Sequence, residues 1–275
     1  MSSSELFDDE IIIDDSYELY DDENGKGLDL SLRPNQDNLA YDGFAASFPD
    51  HLYIPRSEWQ ARIQEITELK SRVSDLLTYK KHPPKNQERT NYCWANAPVY
   101  TLEIQRLRQN QRNVILSPAS VAAPIKKFSN VGGWGLEALR FLANHGAVPV
   151  EKWPANAISR SYYTDNNKKL ALDYKVLDWI ECKPRNLDQV ISMLLRGYAG
   201  AAGYNWWRHE VTLCDPIWLD GEIAIRFRNS WGPQYGSNGY SVLRGNKMLP
   251  DDIVFCVAGS MTNLINATAT VQMAA

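Results

Sequence analysis

The chain has 275 residues, of which 44% are apolar and 23% charged, and its net charge is −4. This composition is ordinary for a globular protein and excludes collagen-like, low-complexity and wholly disordered chains. No run of about 18 apolar residues occurs, which excludes a membrane-spanning helix, so no membrane partner is expected.

Residues 1–54 are predicted to form an acidic, extended N-terminal arm. Residues 1–24 hold ten acidic side chains and no lysine or arginine, whereas the rest of the chain holds 23 acids against 29 bases. The acidic start lacks the basic region and long apolar core of a secretory signal, so we expect a non-secreted, cytoplasmic protein. No basic stripe occurs, so nucleic acid is not an expected partner. The arm is expected to be solvated or to dock on a partner.

Residues 55–80 are predicted to form an amphipathic helix. Its apolar side chains recur every three or four residues, at Trp59, Ile63, Ile66, Leu69, Val73 and Leu76. This stripe is more typical of core packing than of a partner surface, and both interpretations stay open. Residues 1–80 together are a possible docking surface for an assembly partner. Prolines 83 and 84 mark the helix end, so we predict a domain over 81–262 and a tail over 263–275.

The domain over 81–262 contains helical patterns first and strand patterns later. Helices are predicted near 93–109, 118–127, 136–145 and 186–197. From about residue 198 the sequence pattern becomes that of strands and turns, in the segments AAGY, HEVTLC, EIAIRFR, GYSVLR and DIVFCVAG. Helices followed by antiparallel strands indicate the α+β class.

Cys93 is the residue most suited to nucleophilic chemistry. It begins a predicted helix, where the positive end of the helix dipole lowers a thiol pKa and favours the thiolate. A thiolate nucleophile needs an imidazole that protonates the leaving amine, and His209 stands before a strand-like run. Taken alone, His209 is more typical of a buried core histidine. Asn229 is available to orient the imidazole, and Trp231 to shield Asn229 from water.

The remaining cysteines give no further chemistry. No pair forms C-x-x-C or has zinc-finger spacing with histidine, so neither a metal site nor a cofactor is predicted. Small buried apolar side chains are the expected role for Cys182, Cys214 and Cys256.

These segments resemble the papain family of cysteine peptidases. The matching stretches occur in the family's order from residue 85 to about 245, three fifths of the chain. They are KNQ (85–87), CWA (93–95), LS (116–117), GGWG (132–135), His209, NSWG (229–232) and GSNGY (236–240). The resemblance implies a papain-like α+β fold, with a helical left subdomain that carries the cysteine and an antiparallel β right subdomain that carries the histidine and asparagine.

The resemblance also implies a role for each catalytic-type residue. Cys93 would be the nucleophile, His209 its acid/base partner and Asn229 the residue that orients the imidazole. The side-chain amide of Gln87 and the backbone N–H of Cys93 would form the oxyanion hole. The implied reaction is hydrolysis of peptide bonds through a thioester acyl-enzyme, with a protein or peptide substrate.

Four residues are expected to bind substrate. Gly132 and Gly133 match paired glycines on which an extended peptide backbone lies, because a missing Cβ permits close approach. Trp134 and Trp231 are also expected at the substrate site, although for Trp134, as for Trp207, a core position is equally compatible with the sequence.

The chain departs from the family at several positions. Thr90 and Asn130 replace two cysteines that are usually bridged, as expected in a reducing compartment. Arg208 precedes the histidine, and a cation close to His209 would disfavour the imidazolium. The N-terminal region could be a prosegment by position, but it lacks the helical signature of the family's propeptides. Docking or self-packing is therefore the favoured role.

Three functions are compatible with these features. The first is an active cysteine-type endopeptidase. The alternative is a papain-like fold used as a structural or binding component of a larger assembly such as a virus particle, with weak or no catalysis. The third is acyl transfer or amide hydrolysis that uses the same thiol on a non-peptide amide.

Overall fold

A computed structural model describes residues 6–19, 26–32 and 48–257 of the chain. These ranges contain seven α-helices, namely α1 (Arg56–Glu68), α2 (Val73–Tyr79), α3 (Cys93–Arg108), α4 (Ala119–Ile125), α5 (Gly135–His145), α6 (Asp165–Ala171) and α7 (Leu187–Leu195). They also contain seven strands, namely β1 (Ile11–Ile13), β2 (Asp178–Glu181), β3 (Gly200–Tyr204), β4 (His209–Leu219), β5 (Glu222–Arg228), β6 (Tyr240–Leu243) and β7 (Asp252–Val257). The predicted tail over 263–275 lies outside the described residues.

The strands form one sheet with helices on both faces. Its order is β1-β6-β5-β4-β3-β7-β2, and every pairing is antiparallel except that of β1 with β6. Helix α3 lies against β3, β4 and β7, whereas α1 and α7 pack on β4. Helices α4 and α5 pack with α3 and build the helical half. The α+β class predicted from the sequence is confirmed.

The predicted helices of the domain lie close to their expected positions because local signals define their ends. Helix α3 begins at Cys93 and continues through Pro98. Helix α5 ends at His145, and Gly146 follows with a φ of +74°, as is usual after a helix C-terminus. The side chain of Asn186 accepts a hydrogen bond from the backbone N–H of Gln189 and caps α7.

The single helix predicted over 55–80 is instead two helices. Lys70 adopts a φ of +49°, which a helix cannot contain, so α1 ends at Glu68. Helix α2 begins anew at Val73, whose backbone N–H donates to the buried carboxylate of Asp215 at 2.8 Å. Leu69, in the predicted stripe, is 63% exposed because it lies at this break. Other members of the stripe are buried in the core, as the packing interpretation requires: Trp59, Ile63 and Val73.

The N-terminal arm packs on the body of the protein wherever it is described. Strand β1 extends the sheet edge, with Ile11 to Ile13 paired in parallel with Ser241 to Leu243. The Glu10 carboxylate forms an ion pair with Arg226, and neither side chain is exposed. Of the three roles weighed for the arm, namely solvation, docking on a partner and self-packing, self-packing is the one observed for residues 6–19.

All four cysteines are free and buried. Within the described ranges, no helix is both long and apolar enough to cross a membrane. The same residues contain no group of three or more histidine, cysteine or acidic side chains that could hold a metal ion.

Candidate active site

Cys93 is buried at the N-terminus of α3, beside the start of β4. The helix begins here because the carbonyl oxygen of Tyr92 accepts hydrogen bonds from the N–H groups of Ala95 and Asn96. The sulfur interacts with the backbone of Gly27, Trp94 and Glu210, which favours the thiolate. Because Glu210 directly follows His209, these contacts place the thiol next to the strand that carries the imidazole.

His209 and Asn229 form the hydrogen bond expected of an imidazole and the residue that orients it. Nε2 of His209 lies 2.8 Å from Oδ1 of Asn229. The same Oδ1 accepts the backbone N–H of Ser230 at 2.8 Å, which fixes the orientation of the amide. Because Oδ1 is an acceptor, Nε2 carries the ring proton in the neutral imidazole. Nδ1 has no hydrogen-bond partner among the described residues and is the basic nitrogen.

Two tryptophans enclose this pair. The ring of Trp231 stacks on the imidazole of His209 with centroids 4.7 Å apart, and Trp207 meets the imidazole edge-on at 5.0 Å. The two indoles also contact each other, at 5.7 Å. Both therefore limit the access of water to the hydrogen bond between His209 and Asn229. Trp231, which was predicted to bind substrate, contacts the imidazole directly.

Gln87, the expected oxyanion-hole residue, is bonded to Ser230, which directly follows Asn229. Its backbone N–H donates to the carbonyl oxygen of Ser230 at 2.7 Å. Its side-chain carbonyl accepts the Ser230 hydroxyl, and its amide nitrogen donates to the carbonyl oxygen of Thr90 at 2.8 Å. These bonds fix the rotamer of Gln87 at the same end of the sheet as Asn229.

A buried charged cluster joins the segment that carries Gln87 to helix α3. The Glu103 carboxylate, on α3, accepts hydrogen bonds from Lys85 Nζ and from the backbone N–H of Leu116, and it lies 3.0 Å from His82 Nε2. Lys85 precedes Gln87 by two residues, so this cluster holds the predicted oxyanion donor in register with the helix that carries Cys93.

The Gly132–Gly133 pair is in contact with the chain's own N-terminal arm. We call residues 26–32 the cleft segment. The backbone N–H of Gly133 donates to the carbonyl oxygen of Gly27 at 2.8 Å, and the N–H of Asp29 donates to the carbonyl oxygen of Gly133 at 2.9 Å. The N–H of Leu28 donates to the carbonyl oxygen of Arg208 at 3.2 Å. Gly133 thus binds the backbone on either side of Leu28 in a parallel bridge, and the backbone that it binds belongs to the same chain.

The close approach of the cleft segment depends on glycine at position 27. A Cβ atom on Gly27 would lie 2.0 Å from the carbonyl oxygen of Asn91, a distance that no Cβ can adopt. A Cβ on Gly132 would in turn lie 2.6 Å from the carbonyl oxygen of Gly27. Gly27 therefore fits between two fixed backbones directly at Cys93.

Burial shifts the pKa values of both Cys93 and His209. Burial, assisted by the Glu210 carboxylate, raises the pKa of the Cys93 thiol to about 12. The pKa of His209 is lowered to about 4, chiefly by burial and to a smaller extent by the Lys26 ammonium, while the hydrogen bond to Asn229 opposes the shift. The thiolate expected from the helix dipole is therefore not the stable species in this form, because desolvation exceeds the dipole effect.

Arg208 does not act on His209 as its sequence position suggested. Its side chain is exposed, and its φ of +52° turns the backbone so that the carbonyl oxygen binds Leu28. Lys26 of the cleft segment is the cation that acts on the imidazole.

Trp134 lies in the interface between the two halves of the domain. Its indole N–H donates to Oδ2 of Asp252 at 2.9 Å, and only 8% of the residue is exposed. The core interpretation of Trp134 therefore agrees with the structure better than an open substrate surface does. Sequence reasoning missed Glu210, a buried carboxylate in contact with this segment. Its signal was a charged residue within an apolar strand pattern, directly after the histidine.

Hydrogen bonds occupy the place of the missing disulfide. The Asn130 side chain accepts the backbone N–H of Asn91 at 2.7 Å and donates to the carbonyl oxygen of Arg89 at 3.1 Å. Thr90 donates its hydroxyl to the carbonyl oxygen of Gln87 at 2.7 Å. The loop before Cys93 is thus held to the glycine segment without a covalent bond.

Comparison with known proteins identifies relatives of one type, although no family model matches the chain. The chain is 25% identical over 187 residues to digestive cysteine proteinase 3 of Homarus americanus and 24% identical over 208 residues to human cathepsin L2. Each match covers 60% of this chain and 58% of the relative, so the chain matches a little over half the length of these relatives.

Solved structures give the same result for the fold. Xylellain, a cysteine protease from Xylella fastidiosa, matches with a TM-score of 0.54 at 20% identity, over 64% of this chain and 83% of its own. Digestive procathepsin L 3 of Tenebrio molitor matches with a TM-score of 0.55 at 16% identity, over 64% and 66%. These neighbours confirm the resemblance to the papain-like cysteine peptidases and the papain-like fold.

Proposed function

We propose that this chain, which has the papain fold and resembles the papain-like cysteine peptidases, is a cysteine-type endopeptidase that hydrolyses peptide bonds through a thioester acyl-enzyme. The observation that carries the proposal is the hydrogen bond from His209 Nε2 to Asn229, which leaves Nδ1 as the basic nitrogen of the imidazole. The Cys93 sulfur contacts the backbone of Glu210, the residue after His209, so the thiol at the helix N-terminus and the imidazole fixed in one tautomer belong to neighbouring elements, as nucleophilic catalysis requires.

In the proposed reaction, Nδ1 of His209 takes the proton of the Cys93 thiol, and the thiolate attacks the substrate carbonyl carbon. The oxyanion that forms is stabilised by the Cys93 backbone N–H and the side-chain amide of Gln87. The imidazolium then protonates the leaving amine as the C–N bond breaks, which leaves a thioester. Water, deprotonated by His209, attacks the thioester, releases the carboxylic acid and restores the thiol.

Peptide turnover in this proposal requires that the cleft segment leave the cleft. Gly27 lies on Cys93 and binds Gly133, so a substrate cannot use the same glycine pair while the segment is in place. Substitution of Gly27 by valine should displace the segment, because the Asn91 carbonyl oxygen leaves no room for a Cβ. The open form also readmits water, which should shift the pKa values of Cys93 and His209 back toward their ordinary ranges.

The deciding experiment is intact mass after exposure to a thiol-directed epoxide near neutral pH. We expect one rapid addition to Gly27→Val, slow addition to the full native chain, none to Gly27→Val/Cys93→Ala, and weakened addition when His209→Ala is added. Ser31→Ala, in the exposed part of the same segment, is the matched control and should label as slowly as the native chain. No addition to Gly27→Val, or equal labelling of the other three cysteines, would overturn the proposal.

The second candidate function is a structural or binding component of a larger assembly, with weak or no catalysis. The observation that favours it is the filled cleft, since a permanently bound cleft segment would exclude substrate. The same labelling experiment separates the two functions, because an inert thiol in Gly27→Val supports the structural role. A reducing, cytoplasmic location is part of our proposal and is supported by four free thiols; incorporation into a virus particle stays a prediction.

A further inference from the structure

The helical half of the domain contains a cavity of about 200 Å³ that is separate from the candidate active site. It lies between the C-terminal end of α5, helix α6 and the loop that carries Trp153. Helix α5 joins the two places, because Gly135 at its first turn lies against the Glu210 carboxylate and His145 at its last turn lines the cavity. Eleven helical residues span about 16 Å, so a ligand in the cavity would not touch the catalytic residues.

The floor of the cavity is buried and apolar. Val148, Trp153 and Ala171 line it, and none of the three is more than 5% exposed. The polar atoms at the floor already have partners within the protein. The Ser120 hydroxyl accepts the backbone N–H of Val148 at 2.9 Å, and the indole N–H of Trp153 donates to the carbonyl oxygen of Ala157 at 2.7 Å. Such a surface favours an apolar group over water.

Aromatic rings form much of the wall above this floor. The ring of Tyr163 meets the indole of Trp153 edge-on, with centroids 6.4 Å apart, and the ring of Phe141 also lines the cavity. Aromatic walls of this kind pack well against a planar ring. An apolar cavity of about 150 Å³ can hold benzene, so this one has room for a single ring with a short substituent and none for a peptide.

The rim of the cavity is basic. His145, Lys168 and Lys169 line it and are exposed, and none of the described residues that line the cavity is acidic. Nζ of Lys168 lies 4.5 Å from the centroid of the Tyr163 ring, so its ammonium group lies beside the aromatic wall. Asp165 is 3.1 Å from the same nitrogen, but its side chain is 89% exposed, and an ion pair this exposed is weak. The rim therefore offers positive charge to a ligand.

We propose that this cavity binds a small aromatic carboxylate, with the ring on the apolar floor and the carboxylate between the lysines of the rim. A ring alone would satisfy the floor and leave the basic rim unused, whereas a larger anion would not fit the volume. The carboxylate would accept charge-assisted hydrogen bonds from Lys168 and Lys169. The proposal does not depend on the peptidase activity, because no residue of the cavity belongs to the catalytic site.

The test is a titration of the full native chain with 4-fluorophenylacetate near neutral pH, followed by the shift and broadening of its fluorine resonance. We expect a Kd of about 0.1–1 mM, as is usual for a ligand of this size. The amide of the same acid, 4-fluorophenylacetamide, keeps the ring and lacks the charge. It should bind about 5- to 10-fold more weakly, because it forms no charge-assisted hydrogen bond with the lysines.

Two variants with the same change in net charge test the rim. Lys168→Gln/Lys169→Gln should weaken binding of the acid about 5- to 10-fold and leave binding of the amide unchanged. Lys127→Gln/Lys183→Gln, the matched control, removes two exposed lysines that do not line the cavity and should bind the acid as the native chain does. An equal loss in the two variants would mean that net charge, and not the rim, attracts the anion, and it would overturn the proposal.

Val148→Phe tests the floor, because a larger side chain there fills the space for the ring. Binding of both the acid and the amide should fall about 10-fold or more. Thermal unfolding checks that this variant folds; if it does not, the two lysine variants decide, since their substitutions are at exposed positions. No binding of 4-fluorophenylacetate, equal binding of acid and amide, or unchanged binding in folded Val148→Phe overturns the proposal.

Discussion

Arg226 and Glu10 form a bidentate ion pair between the body of the protein and its N-terminal arm. Nε and Nη2 of Arg226 lie 2.6 and 3.0 Å from the two carboxylate oxygens of Glu10, and neither side chain is exposed. The ring of Phe7, also from the arm, lies 3.8 Å from the guanidinium. A carboxylate from the arm, 216 residues away in sequence, therefore compensates the buried charge of Arg226 together with Asp215, which lies 4.0 Å from the guanidinium.

Removal of Glu10 should strongly destabilise the fold. Glu10→Ala removes the carboxylate that lies closest to the buried Arg226 guanidinium and leaves that of Asp215 at 4.0 Å, so we expect a loss of up to about 3–5 kcal/mol in the free energy of unfolding. Urea denaturation measures the loss. Asp188→Ala breaks an exposed pair, at 2.6 Å from Arg56, and should cost about 1 kcal/mol or less. Equal losses in the two variants would contradict the role assigned to the Glu10 pair.

Replacement of both partners tests whether the charge or the shape matters. Because burial of two charges is itself costly, Glu10→Leu/Arg226→Met should recover part of the stability lost in Glu10→Ala, while the loss of the cation 4.0 Å from the buried Asp215 carboxylate limits the recovery. A double variant less stable than the single one would mean that the pairing of Arg226 with Asp215 contributes more than the cost of burying the Glu10 charge.

Removal of the Glu103 charge from its buried cluster should also destabilise the fold. Glu103→Gln keeps the side-chain shape but leaves Lys85 without a counter-charge, so we expect a loss of about 3–5 kcal/mol on urea denaturation. Glu137→Gln is the matched control, because its partner Lys126 lies at 2.8 Å in a partly exposed pair. A loss of less than about 1 kcal/mol for Glu103→Gln would show that the cluster is not needed to hold the segment of Gln87.

Stability should decrease in acid because of His209. The folded pKa is about 4 against 6.5 for the ordinary imidazole, so the unfolded or open state binds the proton more readily. The stabilisation is fully present above about pH 6.5, is lost as pH falls toward 4, and amounts to about 3 kcal/mol. For Cys93 the sign is opposite: with a raised pKa of about 12 against 9, stability is lost as pH rises above 9.

The midpoints of urea unfolding between pH 4 and 8 measure this loss of stability, which is the acid limb of the pH profile. In His209→Gln the limb should flatten, whereas in His51→Gln, which changes an exposed histidine, it should stay as in the native chain. An acid limb that persists unchanged in His209→Gln would contradict the assignment.

Gln87 should affect turnover and leave thiol reactivity unchanged. In the Gly27→Val background, Gln87→Ala should lower kcat on a peptide amide about 100- to 1000-fold, with little change in KM, because the oxyanion forms only after attack. Alkylation of Cys93 by iodoacetamide forms no oxyanion, so its rate should stay within a few-fold. A parallel loss of both rates would mean that Gln87 supports the fold of the site and not the transition state.

Local signals made much of this protein predictable. The caps of Asn186 and Gly146, and the alternation of the later strands, depend on near neighbours in sequence. The motifs around Cys93, His209 and Asn229 were readable because their order and spacing resemble a known family. The break at Lys70 was not predictable, since the positive φ is compensated by a contact of α2 with Asp215, 142 residues from Val73.

The arm could not be placed from the sequence for a related reason. Strand β1 has only three residues, and its pairing with β6 and the ion pair of Glu10 with Arg226 are long-range contacts. Gly27 carries no local sign of the steric limit set by Asn91. The pKa values of Cys93 and His209 depend on burial and on long-range neighbours such as Gly27 and Lys26, so the sequence did not predict the protonation state of the site.

Attachment of the arm through β1 has a consequence for limited proteolysis. Cleavage of any peptide bond between Leu32 and Phe48 would separate the N-terminal fragment covalently from the rest of the chain, but the fragment would stay bound to the folded protein. Its contacts would remain, namely the β1–β6 pairing, the Glu10–Arg226 pair and the backbone bonds at Gly133. The nicked protein would migrate as two bands on a denaturing gel and as one peak in gel filtration, so a single cut in this stretch would not by itself empty the cleft.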